Sequence, residues 1–239
     1  MLSPKTIVKA SLGVGSFLKV PGTDHDHAKS QPVLVPIRSI GPSEQPRILS
    51  HLMGLEQHDR YLRFGYAASD EQVQRYVDGL DFDRDEIFGI YNRRLELIAM
   101  AHLAFAPDGQ SGNCAEFGVS VSKHARGRGY GSRLFERAGV SARNENVSML
   151  FIHALSENTA MLKIARKAGA TVERCGSESE AYLKLPEPTL DSRVNEIALD
   201  QFAAVDFQLK TQAKQFWSFL GSLQEIRRGM RAAREKSAA

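Results

Sequence analysis

C-A-E-F-G-V-S-V-S-K-H-A-R-G-R-G-Y-G-S, running from Cys114 to Ser132, is the stretch that sets the fold. Its first half alternates apolar and polar side chains, the pattern of a half-buried strand. Its second half, Arg126-Gly127-Arg128-Gly129-Tyr130-Gly131, is a glycine-rich turn. Ser132-Arg133-Leu134-Phe135-Glu136-Arg137-Ala138 then has helix-forming composition, with Leu134, Phe135 and Ala138 on one side. Strand, glycine turn and helix in that order make an anion site. The first-turn N–H groups of a helix lack intrahelical partners, and the helix dipole favours negative charge there. Glycine lets the backbone approach the anion with no Cβ in the way. A P-loop is excluded, because no lysine stands where G-x-x-x-x-G-K-[ST] requires one. The G-x-G-x-G spacing of Gly127, Gly129 and Gly131 also departs from the dinucleotide fingerprint G-x-G-x-x-G.

Working outward, Val33 to Ile40 reads as a first strand, and Pro36 places it at an edge. Ile48, Leu49, Leu52, Met53 and Leu55 recur at helical spacing, and Asp59 to Phe64 continues that helical region. Ser69-Asp70-Glu71-Gln72 reads as a cap and acidic first turn before Val73, Tyr76, Val77 and Leu80. Glu86–Tyr91 and Leu95–Phe105 form a hairpin turning at Asn92-Arg93-Arg94. Pro107-Asp108-Gly109 makes the next turn. Beyond the glycine loop come a helix to about Arg143 and a strand over Val147–Ala154. A helix capped by Ser156-Glu157-Asn158 follows and is stopped by Gly169. A second hairpin, Ala170–Arg174 and Ala181–Leu185, turns at Gly176-Ser177. The order predicts a mixed α/β domain over residues 33–186, preceded by a flexible tail over 1–32. Pro186-Glu187-Pro188 ends the domain.

Residues 187–239 form a C-terminal helical extension, with helix expected over 192–236. Ala198, Phe202, Val205, Leu209, Ala213, Phe216, Leu220 and Leu223 are three or four residues apart, a heptad-like seam. Seven Lys/Arg from Gln208 onward stand against Glu225 and Glu235. Three readings follow: a helical hairpin packed on the domain, a homodimer seam, or a surface for an acidic partner. Trp217 is expected to be a packing anchor.

A net charge of +3 carries no overall nucleic-acid signal. Cys114 and Cys175 make neither a disulfide framework nor a zinc pattern, which fits a reduced, cytoplasmic setting. Asp24-His25-Asp26-His27 has no partner ligands nearby in sequence, so a solvated loop is expected rather than a metal site. No apolar run approaches the length of a membrane helix.

The glycine loop resembles motif A of the GNAT acetyltransferases, [QR]-x-x-G-x-[GA], with Arg126, Gly129 and Gly131 in its fixed places. Glu157-Asn158-Thr159-Ala160-Met161-Leu162-Lys163-Ile164-Ala165-Arg166-Lys167-Ala168-Gly169 resembles a second GNAT motif through Asn158, Lys167 and Gly169. The likeness runs from Val33 to Leu185 and includes none of the tail helix. Its wording is similar to the GNAT domains of bacterial protein-lysine acetyltransferases. The resemblance implies a central, mostly antiparallel twisted sheet of six or seven strands flanked by helices. It implies an N-acyltransferase that moves an acetyl group from acetyl-CoA to a primary amine, on a protein lysine or a small molecule, in a ternary complex without a metal. Arg126, Gly127, Arg128, Gly129, Tyr130, Gly131 and Ser132 would hold the CoA diphosphate, with Val119 and Val121 along the pantetheine and Asn158 also binding the cofactor. Glu116 would be the base, and the Val119 N–H would polarise the thioester carbonyl. Gly118 would mark a bulge where two central strands splay. The tyrosine that often protonates the leaving thiolate falls at Ala165; Tyr130 and Tyr182 are the substitutes at hand. A non-catalytic acyl-CoA sensor signalling through the C-terminal helix is the alternative. His102, His124 and His153 are expected to be satisfied or solvated side chains.

Overall fold

Both faces of strand Leu97–Phe105 (β3) are apolar, which requires a sheet covered on two sides. The computed structural model describes residues 35–106 and 113–237, without the side chains of 216, 217 and 219–237. Within them a sheet of seven strands has the order β1-β2-β3-β4-β5-β7-β6. The remaining strands are Arg38–Ser39 (β1), Glu86–Tyr91 (β2), Cys114–Val121 (β4), Met149–Leu155 (β5), Thr171–Cys175 (β6) and Glu178–Lys184 (β7). Only β4 and β5 pair in parallel; the other five pairings are antiparallel. The mostly antiparallel sheet of the sequence reading is therefore present.

Helices Gln45–Met53 (α1), Gln57–Phe64 (α2) and Asp70–Asp78 (α3) follow β1. Ile48, Leu52, Val73 and Val77 of α1 and α3 pack with Ile87 and Met100 on one face of the sheet. Helices Tyr130–Asn144 (α4) and Thr159–Lys167 (α5) cover the other face, where Leu134, Phe135 and Leu162 meet Phe117, Ala101 and Leu103. Along β3, Ala99, Ala101 and Leu103 serve the α4–α5 core while Met100 between them serves the other, as a strand's alternation dictates. Ser69 caps α3 in a full capping box with Gln72, as its sequence indicates.

Three expectations need correction. The first strand is two residues long rather than Val33 to Ile40: Val33 and Leu34 lie outside the described residues, and Pro36 has no N–H for a ladder. Gly118 sits on no bulge; β3 and β4 keep an unbroken register through His102↔Gly118, and the irregularity lies between Ile90 and Tyr91. The tail is one continuous helix, Leu190–Ser237 (α6), not a helical hairpin. The tail at 1–32, the Asp24–His27 run, the Pro107–Gly109 turn and the Trp217 side chain lie outside what is described.

The side of α6 that meets the domain is polar over its first turns and apolar further on. Arg137 of α4 donates to Glu196 at 2.6 Å and to Asp200 at 2.8 Å, and Glu196 also accepts from Ser141 and Asn144. Ala203 is buried, and Phe207 stacks edge-on against Tyr91 at 5.1 Å. Leu190, Val194, Ile197, Phe202, Val205 and Leu209 are left exposed.

Candidate active site

Strands β4 and β5 are paired only at Cys114↔Met149, Ala115↔Leu150 and Glu116↔Phe151. Past Glu116 they diverge, each continuing its ladder with its outer neighbour alone. Ala106 N–H donates to Cys114 and Ser122 N–H to Ile98, so the even-numbered residues of β4 bond to β3. Antiparallel alternation then aims the N–H groups of Val119 and Val121 toward β5, into the gap. Where a ladder ends, those groups need another partner.

The gap opens into a cleft of about 810 Å³. Glu116, Val119, Val121, Arg126, Gly127, Gly129, Tyr130, Gly131, Ser132 and Asn158 all line it; Arg128 is exposed and does not. At its mouth stands the N-terminus of α4, which no side chain caps. Gly127 and Gly129 have φ of 76° and 75°, the left-handed region where a Cβ is disfavoured. Gly131 has a different reason: a Cβ there would come within 2.9 Å of Ile164 Cδ1, so its absence lets α4 and α5 approach. Uncapped amides facing a cleft are the arrangement that accepts a phosphate. The residues present thus fit a diphosphate of acyl-CoA at α4 and an extended arm in the gap.

Helix α2 leans over the cleft and is tied to both banks. Glu56 accepts from Lys123 at 2.7 Å, and Asp59 pairs with Arg126. Asn158 caps α5 by accepting from Met161 N–H at 3.1 Å, while its amide donates to the Leu62 carbonyl at 3.3 Å. Arg126 also donates to the Val121 carbonyl at 3.4 Å.

Glu116 is exposed at the point where the strands part, on the face of β4 that carries Gly118 and Ser120. Four residues that sequence reasoning left without a role lie on that face. Arg63 donates to Tyr76 Oη at 2.8 Å, and Tyr76 donates to His102 Nδ1 at 2.8 Å. His102 Nε2–H donates to Asp85 at 2.9 Å. Burial lowers the His102 pKa and raises that of Tyr76, so both are neutral and the chain has one direction. Burial raises the Asp85 pKa, but hydrogen bonds from Arg84 and His102 outweigh it and leave the carboxyl below its usual range. His102 is therefore satisfied, as expected; His153 sits 3.7 Å from Glu180 at the cleft wall.

His51 is buried outright. Its Nδ1–H donates to the Leu97 carbonyl at 3.0 Å, leaving Nε2 to accept from Ser120 at 2.9 Å. Burial drives its pKa to about 4. Ala165 is fully buried in the core, and Tyr182 donates to Glu173 away from the cleft, so neither faces it. Of the two tyrosine substitutes, Tyr130 alone lines it.

Known proteins agree with this geometry. The sequence model of the acetyltransferase (GNAT) family matches residues 53–170. The fold is similar to that of the GNAT domain of S. lividans PAT, with 23% identity and a TM-score of 0.54 over 62% of this chain and 89% of that one. It is also similar to an acetyltransferase of the GNAT family from Streptococcus pneumoniae, with 14% identity and a TM-score of 0.52 over 63% and 98%. With the splayed strands, the uncapped α4 and the matched segment together, the chain belongs to the acetyltransferase (GNAT) family through its domain at residues 53–170.

Proposed function

We propose that this protein transfers an acetyl group from acetyl-CoA to a primary amine, on a protein lysine or a small molecule, by direct attack in a ternary complex. The observation that carries this is the exposed Glu116 at the divergence of β4 and β5, beside an uncapped helix N-terminus. When bound, acetyl-CoA supplies a thioester whose carbonyl carbon accepts the amine nitrogen as its C–S bond breaks. The amides of Gly129 to Ser132 hold the diphosphate, aided by the α4 dipole. Val119 and Val121 meet the extended arm as a neighbouring strand would, and the Val119 N–H stabilises negative charge on the carbonyl oxygen.

Glu116 takes the proton the amine must lose, since a lysine-like ammonium has a pKa of about 10.4. With Ala165 in the core, the thiolate takes its proton from solvent; thiols have a pKa of about 8.5, so this proceeds near neutrality. The exposed row on α6 pairs two copies into a homodimer, in a cytoplasmic setting.

The test is thiol release from acetyl-CoA with a panel of amines, alongside calorimetric binding of CoA. Binding plus acylation of at least one amine supports the proposal. Tight binding with every amine left untouched removes it in favour of the sensor.

A further inference from the structure

Arg63 stands at the reacting end of the cleft, and the transfer as described leaves it without a task. Its guanidinium lies flat on β4: a Cβ at Gly118 would be 2.7 Å from Cζ and 2.8 Å from Nη1. Gly118 is the residue between Phe117 and Val119, one step along the same face from Glu116. So the cation sits between the base and the amide expected to polarise the carbonyl.

Three features of this arginine matter together. Among the described residues it forms no salt bridge, whereas its neighbours Arg60 and Arg126 hold Asp70 and Asp59. Its Nε is buried with no partner, as are those of Arg60 and Arg137, but those two guanidiniums are held by carboxylates and this one is not. And its orientation is fixed from behind. Tyr76 accepts one N–H at 2.8 Å, and the rings of Phe64 and Tyr76 lie 5.3 and 5.4 Å from Cζ. His102 and Asp85 hold Tyr76 in turn. A plug for the space over Gly118 needs none of this; an apolar side chain would fill it without stranding a donor. Its Nη2 holds Tyr76, so Nη1 is the end left to the cleft, and a pre-aimed planar guanidinium presenting that end is the form that recognises a carboxylate.

We infer that Arg63 is a carboxylate-recognition residue, and that one of the two substrates carries a carboxylate that docks on its guanidinium over Gly118. This rests on the acyl-transfer proposal and names its substrate class. The carboxylate comes either from the far end of the acyl chain or from the amine acceptor.

Two arms of one experiment separate those sources. In the acyl arm, dissociation constants and kcat/KM are measured for succinyl-CoA against butyryl-CoA, which has a neutral chain of the same length. In the acceptor arm, acetyl-CoA is held constant and an amino acid is compared with its carboxamide. Wild-type protein, Arg63→Met, Arg63→Lys and Gly118→Ala are run in parallel. Gly118→Ala keeps the cation but displaces it, and only the end of a flexible side chain has to yield.

The expected result is a preference for the carboxylate in one arm. It falls roughly 10- to 100-fold in Arg63→Met and in Gly118→Ala, the size of a lost charge-assisted fork. Arg63→Lys recovers part of it. The arm that responds names the source. If neither arm shows a preference, or if Arg63→Met lowers both members of each pair by the same factor, the inference is overturned. Melting temperatures show whether each variant is folded. Failure of the wild type to bind any acyl-CoA would instead remove the acyl-transfer proposal, so the two failures are distinct.

Discussion

Glu116 on β4 and His51 on α1 show how exposure and burial set two titratable groups to different tasks. Glu116 is exposed in the cleft, where its carboxyl is open to an incoming amine. Glu116→Gln keeps the shape and removes the basicity. We expect kcat to fall roughly 10²- to 10⁴-fold, the usual share of a general base, with acetyl-CoA affinity unchanged. Steady-state rates and calorimetry check the two halves of that statement. His51 is the opposite case. Its folded pKa of about 4 lies below the ordinary 6.5, so the unfolded chain binds a proton that the native state refuses. Stability from this group is complete above pH 6.5 and drains away as pH falls toward 4. By linkage the loss reaches about 2 kcal/mol at pH 5, with His102 acting in the same direction. Urea denaturation at pH 7 and pH 5 should show that drop, and His51→Gln should flatten it. An equal drop in the variant would assign the acid sensitivity elsewhere.

At the level of elements, the segment from β4 to α4 was legible because its signals are local. Alternation from Cys114, the left-handed glycines and the apolar side of α4 all lie within one short run. Asn158 was legible for the same reason, since a cap bonds to a residue three places on. Gly118 was not. Its lack of a side chain is explained by Arg63, which arrives from α2 through tertiary packing. No spacing rule links those two positions, so sequence alone reads a glycine in a strand as a bulge. The chain Arg63–Tyr76–His102–Asp85 was hidden likewise, being assembled from α2, α3, β3 and the turn before β2. The glycine loop yields a sharper test. A Cβ at Gly129 would meet nothing within 4 Å, so Gly129→Ala acts through backbone strain alone. We expect about 1–2 kcal/mol of lost stability by denaturant titration. We also expect the KM for acetyl-CoA to rise more than kcat falls, because the strained residue opens the amide cradle rather than touching the base.

Across the whole molecule, the long C-terminal helix inverts the usual arrangement of an amphipathic element. Its first turns place a polar stripe inward, with Ala203 and Phe207 following, and leave an apolar row exposed. The inward stripe has a specific cause in Arg137, which is only 4% exposed and needs the carboxylates of Glu196 and Asp200. A buried guanidinium without such partners would be strongly destabilising. Burial raises the Glu196 pKa, but hydrogen bonds from Asn144, Ser141 and Arg137 outweigh it and hold the carboxyl below its usual range. That clamp fixes the helix rotation and leaves Leu190, Val194, Ile197, Phe202, Val205 and Leu209 exposed, with Leu209 beside Arg47 and Arg94 of the domain. The heptad-like spacing, visible in the sequence, was therefore a property of the outer face and not of the packing on the domain. A helix of 48 residues spans about 70 Å, and a row of that kind exposed along it is unfavourable in water. A second copy presents the same row at the same spacing, which is the condition for knobs to enter holes. Light scattering should accordingly report a dimer. Paired Val205→Glu and Leu209→Glu substitutions should give a monomer with an unchanged melting temperature for the domain, because neither side chain contributes to its core. A wild-type monomer at high micromolar concentration would show that the row serves something other than self-association.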